Sequence, residues 1–226
     1  MDDDLTRLRA QIDQIDQQIL ALLSDRLMTA DKVAAAKQNG SSVFRPERES
    51  QLLSRLCGQA EARLHPVIQA VWRAIISAAI ARQNPRFTIG ATASSEQTAQ
   101  LFAAGQLAVE NAENAVELCE KIAAGSLDIG IIEAADLAAV HSLLGLDKSV
   151  KIIAALPLFR NPSQLPSAFV LATDRPDASE HDRYVVYHLN KAECEIRTAE
   201  ELTALSVLSD NLSGDLSVLG ICTSIG

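Results

Sequence analysis

The first 39 residues contain neither glycine nor proline, and apolar side chains recur among them at steps of three and four. The series is Leu5, Leu8, Ile12, Ile15, Ile19 and Leu22. This heptad-like spacing predicts one amphipathic helix over about residues 3–38, roughly 54 Å long at 1.5 Å per residue. Two short helices alone cannot bury a stripe of that length. We therefore expect the helix to pack along a second copy of the chain.

Two shorter helices follow the long one. Pro46 suits the first turn of a helix that runs to about Leu64, and the next helix runs from about Pro66 to Gln83. The apolar residues of this third helix are expected on its inner side: Val67, Ile68, Val71, Trp72, Ile75, Ile76 and Ile80. The three helices predict an all-helical domain over residues 1–85.

Beyond Pro85 the pattern changes to short buried strands that alternate with helices. The expected strands cover residues 87–90, 127–132, 151–156, 169–172, 184–188 and 216–222. The expected helices cover about residues 95–104, 114–124, 135–144 and 199–208. The predicted fold class is thus an all-α domain followed by an α/β domain over residues 86–226.

The net charge of −9 is divided unevenly between these two parts. Residues 1–86 hold 12 Lys and Arg against 10 Asp and Glu, whereas residues 87–226 hold 8 against 19. An acidic chain disfavours nucleic acid as the main ligand. The acidic start does not resemble a secretory signal, and no uncharged apolar run has membrane-spanning length, so we expect a cytoplasmic protein without a membrane partner.

The cysteines and histidines give no sign of a metal site. The four cysteines are Cys57, Cys119, Cys194 and Cys222, and neither they nor the four histidines have the spacing of metal ligands. We expect buried, reduced thiols and no metal.

Several cations on the long helix are spaced to bind an anion. Arg26 continues the apolar stripe, and Lys37 lies on the same face about 16 Å further along. The gap between two such side chains has the size of a small dianion. Arg9 lies roughly 25 Å before Arg26 and about 100° around the helix, so it reaches such a pocket only from an antiparallel second chain. The alternative is that all three are surface charges along a helical seam.

Four sequence stretches resemble the all-helical bacterial chorismate mutases, over residues 5–83. They are Leu8-Arg9, the run IDQIDQQILALLSDR, the run KVAAAK that ends in Lys37, and FRPERESQLLSRL. The third helix also ends in Gln83, as it does in that family. The resemblance implies an intertwined homodimer with two sites, each built from both chains.

Carried over position by position, the resemblance implies catalytic roles for Arg26, Lys37 and Gln83. Arg26 clamps a carboxylate of the substrate chorismate, and Lys37 and Gln83 share its ether oxygen. Arg9 is the arginine that is donated across the dimer.

The resemblance also implies substrate contacts from the second and third helices. Arg48 and Glu49 open the second helix, with Glu49 toward the ring hydroxyl. Arg45 stands where many members carry an aspartate, and Ala79 stands where some carry a serine. Neither difference removes a charge from the carboxylate clamp.

The implied reaction is the Claisen rearrangement of chorismate to prephenate. Because bonds shift within one molecule, it needs no nucleophile, acid, base, metal or cofactor. The same fold and a similar clamp also occur in isochorismate pyruvate lyases, which are the enzymatic alternative. A non-enzymatic alternative is a helical dimerisation module that carries a small-molecule sensor domain.

The second part of the chain resembles the prephenate dehydratase half of fused mutase–dehydratase proteins, with its functional motifs degraded. The family's Gly-Pro opening is absent from IGATASSEQTAQLFA, and Glu133-Ala134-Ala135-Asp136 replaces Pro-Ile-Glu-Asn. Ser167-Ala168-Phe169 replaces Thr-Arg-Phe. We expect a catalytically inactive domain with a stabilising or regulatory role, and a working bifunctional enzyme is the alternative.

Overall fold

The structure, a computed structural model, describes residues 2–36, 43–158, 166–174, 182–188, 193–197 and 216–223. The chain forms two compact units, which meet in the sequence between Ser41 and Ser42. The described part of the first unit is one helix, and the second unit holds the other described helices and strands. A purely helical part comes first along the chain, and a part in which strands alternate with helices follows, which confirms the predicted order of a helical part and an α/β part.

Helix α1 (Asp2–Ala36) confirms the long helix expected from the sequence. Its 35 residues span roughly 50 Å. The apolar stripe is about half exposed, with side chains between 48% and 68% accessible: Leu5, Leu8, Ile12, Ile15, Ile19 and Leu22. A single chain therefore leaves a long apolar surface open to water, which favours association.

Helix α2 (Pro46–Gly58) begins at the expected proline and carries Glu47 and Glu49 in its first turn. The prediction that it reaches Leu64 is wrong. The helix ends at Gly58, a residue with poor helix propensity, and a short 3₁₀ turn at Ala62–Leu64 leads into the next helix.

Helix α3 (His65–Gln83) has the expected length but not all of the expected inner face. Val67 and Val71 are exposed, contrary to the prediction, whereas Ser77 is fully buried. The reason is that the C-terminal half of α3 turns the side of Ile76, Ser77 and Ile80 toward the core.

One described helical stretch, Ala62–Gln83, is long and apolar enough to cross a membrane by length and composition alone. A single stretch of this kind is weak evidence for a membrane span, because core helices of water-soluble proteins pass the same test. Its residues Ile76 and Ile80 belong to the core described below.

The described strands form one eight-stranded sheet in the order β2-β1-β3-β5-β4-β8-β6-β7. Strands β1, β2 and β3 are mutually parallel, and β5 runs antiparallel to both β3 and β4. The bounds are β1 Thr88–Ala91, β2 Ala108–Asn111, β3 Ile129–Glu133, β4 Lys151–Leu156, β5 Ala168–Ala172, β6 Asp182–His188, β7 Glu193–Arg197 and β8 Leu216–Thr223. Among the described residues, three helices lie between the strands: α4 (Glu96–Ala103), α5 (Ala115–Ala123) and α6 (Leu137–Val140).

Six of these strands match the sequence prediction, whereas β2 and β7 do not appear in it. Strand β2 lies at the sheet edge with mostly exposed residues, so it lacks an apolar pattern. The helix expected over 135–144 is reduced to α6, with 3₁₀ turns at both ends, because Val140 leaves the helical backbone at φ −128°. The helix expected over 199–208 lies outside the described residues.

Helices α2 and α3 share a core with one face of the sheet. This core holds Leu53 of α2 and Ile76 and Ile80 of α3 together with Ile89 and Ile131 of the strands. On the opposite face, α5 and α6 pack over a second apolar cluster. The first strand begins shortly after residue 85, and the packing is continuous across that point.

Candidate active site

The candidate residues of α1 lie on a continuous helix. Arg9 is exposed and Arg26 is half-buried. Because the helix is unbroken between them, the estimated separation of about 25 Å and 100° applies to the structure. Lys37 lies outside the described residues.

Three further candidates lie at the start of α2. Arg45 precedes the helix as its N-cap and is half-buried, and Arg48 is exposed in the first turn. Glu49, one residue later, is buried. Acidic side chains in a first helical turn interact favourably with the helix dipole.

Glu49 forms a buried ion pair with Arg73 of α3. The Arg73 Nη1 donates to Glu49 Oε2 at 2.7 Å, and the two side chains are only 14% and 8% exposed. At such burial the loss of one partner typically costs ~3–5 kcal/mol, because the other charge is left uncompensated. The ion pair thus holds the Glu49 carboxylate at a defined position beside Arg73.

Ala79 and Gln83 lie one turn apart at the end of α3. Ala79 is buried, and its carbonyl oxygen accepts a hydrogen bond from Gln83 Nε2 at 3.1 Å. A glutamine amide has two N–H donors, so one remains for a further acceptor once the first is bound in this way. The Gln83 side chain is half-buried.

Arg73, Ser77 and Ser50 are polar residues of this region that sequence reasoning missed. Ser77 Oγ donates to the Phe102 carbonyl oxygen at 3.0 Å, and Ser50 Oγ donates to that of Leu158 at 3.1 Å. The sequence contains one signal for two of them. Arg73, Ser77 and Ile80 are four and three residues apart, so two polar residues lie on the same side of the helix as a core residue.

The three sequence stretches of the α/β part that resemble dehydratase motifs lie around the carboxyl ends of β1 and β3. Thr98 Oγ1 donates to Glu133 at 2.7 Å, and Ser94 Oγ donates to Asp136 at 2.5 Å. The Ala134 amide donates to the Ser167 carbonyl oxygen at 2.9 Å. The hydroxyl groups thus donate hydrogen bonds to the carboxylates in this region. The carboxylates also give it a negative charge.

Ala168 lies in the third of these stretches, at the position where the sequence resemblance implies an arginine in the family. It is fully buried in β5 and pairs in register with Glu133 of β3. A methyl group in a closed sheet interior cannot bind a carboxylate substrate.

The described thiols are unsuited to nucleophilic chemistry. Cys57 and Cys119 are free and buried, as expected. Burial raises the pKa of the Cys119 thiol to about 11 and raises that of Cys57 as well, so both stay protonated at neutral pH. Among the described residues, no group of three or more His, Cys, Asp or Glu side chains is placed to hold a metal ion.

The helical part matches the family model for chorismate mutase type II over residues 8–84. This match confirms the resemblance drawn from the sequence. All eight candidate residues, from Arg9 to Gln83, fall within it.

Two curated relatives are bifunctional chorismate mutase/prephenate dehydratases. The protein from Pseudomonas aeruginosa is 29% identical over 140 residues, and that from Stutzerimonas stutzeri is 27% identical over the same length. Each match covers 58% of this chain, which is more than residues 1–86, so it extends into the α/β part. The chain spans 38% of the length of these relatives.

A solved structure, prephenate dehydratase from Streptococcus mutans, aligns with 62% of this chain and with all of its own. The identity is 13% and the TM-score is 0.39. A TM-score of this size does not define a shared fold.

Proposed function

We propose that this protein is a chorismate mutase, which rearranges chorismate to prephenate in aromatic amino acid biosynthesis. The family match over residues 8–84 carries the proposal. The matched residues include cationic side chains, which can bind the two carboxylates of chorismate. They also include an amide side chain, which can donate to the ether oxygen whose bond breaks. Neither a cofactor nor a metal enters the proposed reaction.

The first contribution we propose is restriction of the substrate's shape. Chorismate reacts only from a compact form, and holding reacting atoms in place removes up to ~7–11 kcal/mol of a barrier in the best intramolecular models. Arg26, with Arg9 from the second chain, binds the carboxylates, because a guanidinium offers two parallel N–H donors. Arg45 and Arg48 add positive charge at the start of α2.

The second contribution is stabilisation of the charge that develops on the ether oxygen as the C–O bond breaks. Lys37 and Gln83 donate to that oxygen, and one such preorganised donor is typically worth ~3–4 kcal/mol. The bond from Gln83 Nε2 to the Ala79 carbonyl oxygen supports this role. It fixes one N–H of the amide, and we propose that the second N–H donates to the ether oxygen.

We further propose that two copies of the chain form the active enzyme, with Arg9 donated across the interface. The exposed apolar stripe of α1 supports this assembly. A second copy offers the same stripe, and burial of apolar surface contributes about 25 cal/mol per Å². A cytoplasmic location is part of the proposal and is supported by the free thiols of Cys57 and Cys119.

Residues 86–226 are proposed to be a dehydratase-like domain without dehydratase activity, with a stabilising or regulatory role. The buried Ala168 and the carboxylates of Glu133 and Asp136 support this view. Negative charge repels a dianion such as prephenate. That the mutase activity resides in residues 1–85 is likewise part of the proposal.

Product identification tests the proposed function. The purified full chain is incubated with chorismate, and in parallel with isochorismate, and the products are separated by chromatography. We expect prephenate from chorismate. Pyruvate from isochorismate alone would indicate the lyase, phenylpyruvate formed without acid treatment would indicate a bifunctional enzyme, and no turnover would indicate a non-enzymatic module.

Two matched arginine variants distinguish turnover by this protein from turnover by a contaminating host enzyme. Arg26→Met removes a proposed carboxylate ligand and is expected to abolish most of the turnover. Arg55→Met changes an exposed arginine of α2 outside the proposed site and is expected to leave turnover unchanged. Equal activity in both preparations would assign the turnover to a contaminant.

A further inference from the structure

We infer that Arg73 is a positioning residue of the mutase site, which holds Glu49 for the ring hydroxyl of chorismate. We also infer that the α/β region takes part in substrate binding, because it holds Arg73. The inference rests on the proposed function, in which Glu49 accepts that hydroxyl.

Arg73 is fixed by contacts in three directions. Its Nη1 donates to Glu49 Oε2 at 2.7 Å, and its Nε donates to Ser77 Oγ at 3.2 Å. The guanidinium lies over the Phe102 ring, with 4.2 Å between Cζ and the ring centroid. Since the guanidinium is planar, two in-plane hydrogen bonds and one contact with an aromatic ring restrict its position and its orientation.

Two of these three contacts lead to helix α4 of the α/β region. Phe102 is a buried residue of α4, and its ring meets that of Phe44 edge to face at 5.5 Å. Its carbonyl oxygen accepts the hydrogen bond from Ser77. Ser77 therefore donates to α4 and accepts from Arg73, so a shift of α4 moves the guanidinium and with it the Glu49 carboxylate.

The energetics favour a role in orientation over one in stability. A buried ion pair is seldom more stable than an apolar pair of the same volume, because two charges lose their hydration. An apolar pair in this core would hold α2 against α3 equally well. The structure instead keeps a carboxylate in one geometry, with Arg73 Nη2 also buried and without a hydrogen-bond partner among the described residues.

Two buried serines provide a matched test. Ser77→Ala and Ser50→Ala each remove a hydroxyl that donates to a carbonyl oxygen of the α/β region, but only Ser77 also contacts Arg73. For Ser77→Ala we expect KM for chorismate to rise about three- to tenfold with kcat within about twofold, the pattern of lost substrate binding. For Ser50→Ala we expect KM to stay unchanged.

Loss of folded protein gives a different pattern, because it lowers the apparent kcat and leaves KM unchanged. The thermal midpoint of each variant is measured alongside the kinetics. A KM that is unchanged in Ser77→Ala, or raised equally in both variants, would overturn the inference.

A double-mutant cycle then tests whether Phe102 acts through Glu49. Phe102→Leu removes the aromatic ring beneath the guanidinium and is expected to raise KM in the natural background. In the Glu49→Gln background the same change is expected to leave KM unchanged, because the carboxylate that Arg73 positions is absent. Equal effects in both backgrounds would show that Phe102 acts on stability alone.

The outcomes separate this inference from the proposed function. If the natural chain forms no prephenate, the proposed function fails and the inference fails with it. If it forms prephenate but KM does not respond to Ser77→Ala or to Glu49→Gln, only the inference fails.

Discussion

Lys37 is the residue whose replacement has the most direct expected effect on catalysis. Replacing it with alanine removes a charged donor from the breaking C–O bond, so we expect kcat to fall about 100- to 1000-fold with the fold intact. Steady-state kinetics and circular dichroism check both parts. Lys32→Ala, at an exposed position of α1, is the matched control and should retain full activity. Near-normal turnover in Lys37→Ala would contradict the assignment.

Gln83 offers a test through pH. In Gln83→Glu only the protonated carboxyl group can donate to the ether oxygen, and its protonated fraction grows as pH falls toward a glutamate pKa of about 4.3. We therefore expect kcat/KM to rise on acidification in the variant and not in the natural chain. The measurement is a pH–rate profile of both proteins, and identical profiles would remove Gln83 from the site.

The sequence indicates which residues are candidates for the site, but it does not indicate the surroundings of those residues. Helical spacing alone predicts that Arg26 and Lys37 share a face, because a helix fixes the positions of its own residues. The partner of Glu49 could not be predicted, since Arg73 is 24 residues away in the chain and reaches Glu49 only through the packing of α3 on α2. Local patterns hold no information on such packing.

Among the elements, α5 packs closely on the sheet at two glycines. Gly90 of β1 and Gly130 of β3 are paired in register, and a methyl group at Gly90 would collide with the side chains of Leu118 and Leu127. We expect Gly90→Ala to lower the free energy of unfolding by about 1–3 kcal/mol, as overpacking does. Urea denaturation measures this difference.

Gly58 provides the control for that substitution. It is the last residue of α2, and a methyl group added there meets no atom within 4 Å. Gly58→Ala should leave the stability unchanged or raise it, because alanine favours the helix. A loss of stability equal to that of Gly90→Ala would contradict the close packing of α5.

The elements differ in how well the sequence predicts them. Helix α1 follows from an unbroken apolar period, and β4 and β5 follow from apolar runs in a buried sheet interior. Strand β2 has no such run, because its edge position leaves its side chains in water. Its pairing with β1 is a tertiary effect that its own residues do not encode.

For the whole molecule, shared sites predict complementation between two inactive variants. Arg9→Ala and Lys37→Ala are produced separately and then together in one cell. If Arg9 of one chain serves the site of its partner, a mixed dimer has one intact site and one doubly damaged site. Random pairing then restores about a quarter of the natural activity. No recovery above the separate variants would place Arg9 and Lys37 of each site in one chain.

The most direct test of the central claim is the product that the purified full chain forms from chorismate. We expect chorismate to be consumed and prephenate to accumulate, identified by its conversion to phenylpyruvate only after acid is added. The Arg26→Met protein, purified in the same way, should consume chorismate at only a small fraction of the natural rate. Chorismate that persists with the natural chain as it does with that variant would contradict the account.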